Sequence, residues 1–108
     1  MPDNNERIAL TEAVYYILLS LYDPMHGYGI MQNVAVLSKG RVNLAAGTLY
    51  GAINTLLERQ WIRAFPGEAS SRKKEYEITD VGKEIVKNEL LRLQELIENG
   101  QETVGRNR

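Results

Sequence analysis

Apolar residues recur at helical spacing in four separate stretches of this chain. Leu10, Val14, Ile17, Leu18 and Leu21 follow the i, i+4, i+7, i+8, i+11 stripe of an amphipathic helix, with Thr11 and Glu12 at its head. Asp23-Pro24 ends that helix, because proline disfavours the helical conformation in the residue before it. After the short connection His26-Gly27-Tyr28-Gly29, the positions Ile30, Met31, Val34 and Leu37 predict a second helix that stops near Lys39-Gly40. Arg41-Val42-Asn43-Leu44 reads as a short strand or an extended link. Leu49, Ile53, Leu56 and Leu57 then share one face of a third helix over residues 46–60, leaving Thr48, Tyr50, Gly51 and Asn54 to point elsewhere.

Past that helix the period changes. Trp61-Ile62-Arg63-Ala64-Phe65 and Lys73-Lys74-Glu75-Tyr76-Glu77-Ile78 read as two short strands around Pro66-Gly67-Glu68-Ala69-Ser70-Ser71-Arg72, a turn-rich loop with a positive end. Thr79 is placed to cap a fourth helix, with Asp80 favouring its positive end, and helical character is expected to continue to Asn99-Gly100. Val81 and Ile85 are expected in the core, whereas Val86, Leu90, Leu93 and Ile97 form a second stripe joined by Leu91 and Leu96. One small core cannot cover both stripes, so the far end of this helix is expected to pack against a second copy of the chain. Residues 101–108 lack periodicity and read as a frayed tail.

Composition narrows the class without changing this layout. With 108 residues, 44% of them apolar and 25% charged, the chain fits one ordinary soluble domain. The absence of cysteine removes disulfides and thiolate chemistry. The longest apolar run, Val14 to Leu21, falls far short of the roughly 20 residues a membrane span requires. The acidic, polar start is unlike a secretory signal, so the expected location is the cytoplasm.

A net charge of −1 conceals an uneven distribution. Residues 1–38 carry one base against four acids, giving −3, and residues 75–108 carry five against eight, again −3. Between them, Lys39, Arg41, Arg59, Arg63, Arg72, Lys73 and Lys74 face only Glu58 and Glu68, giving +5 over residues 39–74. The positive block coincides with the third helix and the strand pair, which is where phosphate binding would be placed.

Catalysis has little to stand on. His26 is the only histidine, so neither a multi-histidine metal site nor a cysteine–histidine pair can be built, and no metal or cofactor is expected. His26 itself is expected to bond backbone or cap the second helix. The acids of the last helix alternate with bases and read as a solvated face. Binding has better candidates. Tyr50 and Asn54 share a face one turn apart, Thr48 offers a hydroxyl, asparagine can pair with an adenine edge, and a hydroxyl can bond phosphate or base. Arg72, Lys73 and Lys74 suit phosphates, although strand alternation points Lys73 away from the other two. Lys39 and Arg41 lead into the third helix. Trp61 reads first as core and second as the wall of a small-molecule pocket; Tyr15 and Tyr16, adjacent on a helix, cannot both face the core.

In order and spacing these blocks resemble the PadR family of winged-helix transcriptional repressors. His26-Gly27-Tyr28-Gly29 is similar to the family's H-G-Y-E/G stretch, and Gly47-Thr48-Leu49-Tyr50 with Leu56-Leu57-Glu58 to its G-T/Q-L-Y…L-x-x-L-E pattern. Arg72-Lys73-Lys74-Glu75-Tyr76-Glu77-Ile78-Thr79-Asp80 followed by Gly82 is similar to its wing and the start of its last helix. The resemblance implies a mainly α fold with a small β-hairpin, a winged helix-turn-helix with a long C-terminal dimerisation helix, in the short form without a larger C-terminal domain. The expected division is a flexible start (1–9), a DNA-binding domain (10–80), a dimerisation helix (81–99) and a flexible tail (100–108). It implies a homodimeric repressor on an inverted-repeat operator, with Tyr28, Lys39, Arg41, Thr48, Tyr50, Asn54, Arg72, Lys73 and Lys74 toward DNA. Val86, Leu90, Leu93 and Ile97 would join the subunits. Some short members hold flat aromatic drugs against an aromatic residue of the last helix; here residues 81–97 contain none, so an effector would meet Tyr15, Tyr16 or Trp61. The competing reading is a winged-helix module that holds a partner protein with the same surfaces.

Overall fold

Three residues that precede helices each turn a side-chain acceptor back onto the first turn. In the computed structural model, which describes residues 8–65 and 74–107, Thr11 Oγ accepts from the Val14 amide at 3.1 Å and opens α1 (Glu12–Ser20). His26 Nδ1 accepts from the Gly29 amide at 3.2 Å and opens α2 (Gly27–Leu37), the capping role expected of it. Thr79 Oγ accepts from the Gly82 amide at 3.0 Å and opens α4 (Asp80–Arg106). Each cap satisfies a donor that the helix itself leaves without a partner.

Helix α2 and α3 (Ala46–Glu58) end in the same way. Lys39 and Gln60 take left-handed conformations at φ 54° and 62°. The two amides at each end then fold back: Lys39 to Val36 and Gly40 to Ala35, Gln60 to Leu57 and Trp61 to Leu56. This reversal satisfies the last carbonyls and, at the second site, seats Trp61 against Leu56 beneath it. Residues 41–45 form an extended link and not a strand.

The sheet has three antiparallel strands in the order β1 (Met25–His26), β3 (Glu75–Ile78), β2 (Ile62–Phe65). Met25 pairs with Tyr76 and His26 with Glu75, while Ile62 pairs with Ile78. The two outer segments of the expected hairpin are therefore present, but a third strand between α1 and α2 joins them. The core lies between this sheet and the helices: Ile17, Leu18 and Leu21 of α1, Ile30 and Val34 of α2, and Leu49, Ile53 and Leu56 of α3 are buried.

Helix α4 departs from expectation in two respects. Val86 is 2% exposed and belongs to the core, whereas Val81 is 52% exposed, so their expected places are exchanged. The cause lies at Gly82. A Cβ there would overlap the Trp61 carbonyl, so α4 begins in direct contact with the backbone just before β2 and its rotation is set by that approach. The helix also passes Asn99-Gly100 and runs 27 residues to Arg106, about 40 Å at 1.5 Å per residue. A helical glycine costs about 1 kcal/mol and does not by itself stop a helix. Arg106 pairs with Glu102 at 2.7 Å and Gln94 with Glu98 at 3.0 Å, each four residues apart, which supports the final turns. Leu90, Leu91, Leu96, Ile97 and Val104 remain exposed. No helix among the described residues is long and apolar enough to cross a membrane.

Candidate nucleic-acid interface

Helix α3 sends Leu49, Ile53 and Leu56 inward, and everything opposite them is open to solvent. That outer face carries Gly47, Thr48, Gly51, Asn54 and Thr55. Thr55 turns its hydroxyl back to the Gly51 carbonyl at 3.2 Å, while Thr48 and Asn54 make no side-chain hydrogen bond among the described residues. Ala45, at the N-cap, supplies no side-chain acceptor, so the first amides of α3 are also left open at the same end. Nothing lies within 4 Å of a Cβ built on Gly47 or Gly51. The result is a smooth face, uncharged as far as Glu58 in the last turn, with the Thr48 and Asn54 groups unspent, of a width that fits a major groove.

Tyr50 stands at the edge of this face. It is 45% exposed, and its hydroxyl end occupies the space that a side chain on Gly27 would take. Tyr28, on the first turn of α2, is 63% exposed. The β1–β3 ladder ends with His26 opposite Glu75, so Lys74 leaves the sheet at the end where α2 starts. Tyr28, Tyr50 and Lys74 thus border one another's elements, and Lys74 makes no ion pair among the described residues. Burial, with the neighbouring Tyr50 adding to it, pushes the Tyr76 hydroxyl up from its ordinary pKa.

The other expected cations are dispersed. Lys39 is exposed at the end of α2. Arg41 is already engaged: its guanidinium pairs with Glu12 at the start of α1, and that pairing raises its pKa further. Arg63 is tied to Glu77 across the β2–β3 ladder, with Nε to Oε1 at 2.7 Å. Arg72 and Lys73 lie outside the described residues.

The model of the transcriptional regulator PadR-like family matches residues 15–88, more than half of the chain. The chain belongs to that family. Its members are transcriptional regulators, not enzymes. Solved structures agree on the winged-helix fold. A PadR-family transcriptional regulator from Eggerthella lenta is 21% identical with a TM-score of 0.67, covering 84% of this chain and 80% of its own. A transcriptional regulator from Clostridium thermocellum is 22% identical with a TM-score of 0.62, covering 87% of this chain and 89% of its own. PadR of Bacillus subtilis, solved in complex with operator DNA, is 24% identical with a TM-score of 0.58; it covers 71% of this chain, which spans 45% of that longer protein. Among curated proteins none matches.

Within this PadR-like chain the three aromatic effector candidates do not converge. The Tyr15 and Tyr16 rings lie 5.9 Å apart on α1, both half-buried, and neither reaches the groove that Trp61 lines. Trp61 is 7% exposed, mostly core as its first reading expected. What the sequence reading missed is Glu89. It is 3% exposed, not part of a solvated face. Both of its oxygens accept from Arg92, at 2.7 and 2.8 Å, and one also accepts from the Leu10 amide at 3.3 Å. The Arg92 guanidinium holds the Glu89 carboxyl below the usual carboxylate range. Burial first, and then the Glu89 charge, push the Tyr15 hydroxyl up. The three-residue spacing of Glu89 and Arg92 was the only available signal, and it is equally that of a surface pair.

Proposed function

We propose that this PadR-like regulator is a homodimeric, sequence-specific repressor that binds an inverted-repeat operator and is released by a small-molecule effector. The observation that carries the reading is the outer face of α3, where Thr48 and Asn54 keep their hydrogen-bonding capacity and no side chain covers Gly47 or Gly51. A face on which Thr48 and Asn54 bond nothing internally among the described residues is suited to base edges, with Asn54 matched to adenine and Thr48 to a base or a phosphate. Tyr28, Tyr50 and Lys74 flank it as backbone contacts, and Arg72 and Lys73 are added from the sequence alone.

The exposed stripe of α4 supports the dimer. Leu90, Ile97 and Val104 recur every seven residues along its outer side, the period of a helix that packs along a partner helix. Two α3 helices would then read successive major grooves about 34 Å apart. Such a repressor would act in the cytoplasm. The reading is tested by selecting duplexes from a random pool and measuring affinity across salt. A palindromic consensus bound by two copies, with log K falling linearly in log salt, is expected. Retention of no duplex at about 50 mM salt would defeat the reading and leave the partner-protein module in its place.

A further inference from the structure

The side-chain ion pairs among the described residues differ in how far the acid is shut in. Glu89 is 3% exposed beside Arg92 and Glu77 18% beside Arg63, so neither acid could lose its base without leaving a charge largely out of water. Arg106 and Glu102 lie at the far end of α4. The pair of Glu12 with Arg41 is different, because its side chains are 42% and 64% exposed. Glu12 also stands in the first turn of α1, where the open amides of the helix favour a negative charge with or without a base beside it. Breaking this pair strands neither partner.

Arg41 is carried on a fixed loop that leads to the reading helix. Ser38, buried at the end of α2, accepts the Val42 amide on its Oγ at 2.9 Å, and the Asn43 side-chain amide donates to the Gly40 carbonyl at 2.7 Å. The Arg41 amide itself donates to the Ser38 carbonyl at 3.2 Å. From Arg41 to Ala46, where α3 starts, the chain can span at most about 18 Å. A helix end set in a groove about 12 Å wide has phosphates on both sides, so the long Arg41 side chain is in reach of one. The Glu12 bond chiefly, and the Tyr16 hydroxyl to a smaller extent, raise the Arg41 pKa, and the guanidinium stays a cation whichever anion it holds.

A carboxylate and a phosphodiester offer the same pair of oxygens to a guanidinium fork. We propose that Glu12 holds on Arg41 the place that an operator phosphate takes when DNA is bound, so that docking exchanges one oxyanion for another. Resting on the repressor reading for its partner, this exchange makes Glu12 a positioning residue: it touches no DNA and acts through Arg41. Residues 10–12 are tied to α4 by the Leu10–Glu89 bond and to the link before α3 by the Glu12–Arg41 pair. Docking releases the second tie and keeps the first.

Four full-length proteins test the exchange: the parent chain, Glu12→Gln, Arg41→Gln and the double variant, each checked for an unaltered circular dichroism spectrum. Immobilised heparin, a polyanion with sulfates and no bases, is the first probe, since its retention depends on charge and on no operator. Glu12→Gln should elute at higher salt than the parent, and the delay should vanish when Arg41 is also changed. A delay of equal size in the Arg41→Gln background would be net charge alone and overturns the exchange, as does no delay at all. A duplex from the random-pool selection is the second probe. Glu12→Gln should bind it about two- to fivefold more tightly, the strength of an exposed pair expressed as a ratio, with the salt slope kept. Arg41→Gln should reduce the slope of log K against log salt by about 1. A slope that Arg41→Gln leaves unaltered means that Arg41 stays with Glu12 on DNA, which defeats the exchange and spares the repressor reading. Retention of no duplex, with a heparin delay that depends on Arg41, defeats the repressor reading and leaves the exchange standing toward sulfate and phosphate anions.

Discussion

The Tyr50 hydroxyl end fills the place where residue 27 would carry a Cβ, so Gly27 and Tyr50 form a single joint between α2 and α3. Gly27 is buried in an ordinary helical position, so its lack of a side chain serves the tyrosine and not the backbone. Gly27→Ala should therefore destabilise the domain by about 1–3 kcal/mol as the ring is displaced. In a Tyr50→Ala background the same change should be neutral or stabilising, since alanine is the better helix former. Urea unfolding of the four proteins gives the coupling directly, and equal costs in both backgrounds would show that the joint does not exist.

Gly51 separates stability from recognition. A methyl group added there meets nothing within 4 Å, so Gly51→Ala should raise stability by about 0.5–1 kcal/mol. If the outer face of α3 lies against DNA, the same methyl should weaken operator binding by about 1 kcal/mol or more. A more stable protein with unaltered affinity would remove that face from the interface.

Lys74, just before β3, and Arg63, within β2, should behave differently. Lys74, unpaired among the described residues, should reduce the slope of log K against log salt by about 1 when changed to alanine. Arg63, held by Glu77, should leave the slope where it was. Gel-shift titrations between low and physiological salt distinguish the two.

Glu89 predicts a pH dependence of stability. Its carboxyl titrates lower in the folded chain than in the unfolded one, chiefly through Arg92. The stabilisation is thus complete above the unfolded value of about 4.3 and is lost as pH falls through the lower folded value. Glu89→Gln should remove this acid-side component and lower stability at neutral pH by about 1–3 kcal/mol, since Arg92 and the Leu10 amide lose their acceptor. Thermal melts from pH 3 to pH 7 measure both effects.

Leu90 and Ile97 are each about half exposed and contribute little to the domain's own core. Leu90→Asp with Ile97→Asp should leave the helix content intact and give a monomer by sedimentation. A persistent dimer would place the interface elsewhere.

Local signals carried much of the fold. The caps at Thr79 and His26 and the buried face of α3 follow from residue types a few positions apart, which a linear reading can see. Strand β1 could not be read, because Met25-His26 is too short for alternation and is held by its partner Tyr76-Glu75, some 50 residues away. The exchange of Val81 and Val86 depends on how closely Gly82 approaches the Trp61 carbonyl, again a contact between distant positions. Much the same holds for the site. Thr48, Tyr50 and Asn54 were visible as the polar remainder of an amphipathic helix. That Arg41 is paired with Glu12, and that Arg59 has no acidic partner among the described residues, becomes evident only once α1, α3 and β2 are placed together.

The length of α4 bears on how such a regulator would respond in a cell. If the helix that leaves Leu90, Ile97 and Val104 wet pairs with a second copy as proposed, folding and association become parts of one equilibrium, and the melting temperature would climb with protein concentration. Operator occupancy would then depend on more than the first power of copy number. A modest fall in synthesis would depopulate the paired form before it emptied the cell of chains, and the operator would clear abruptly rather than by degrees.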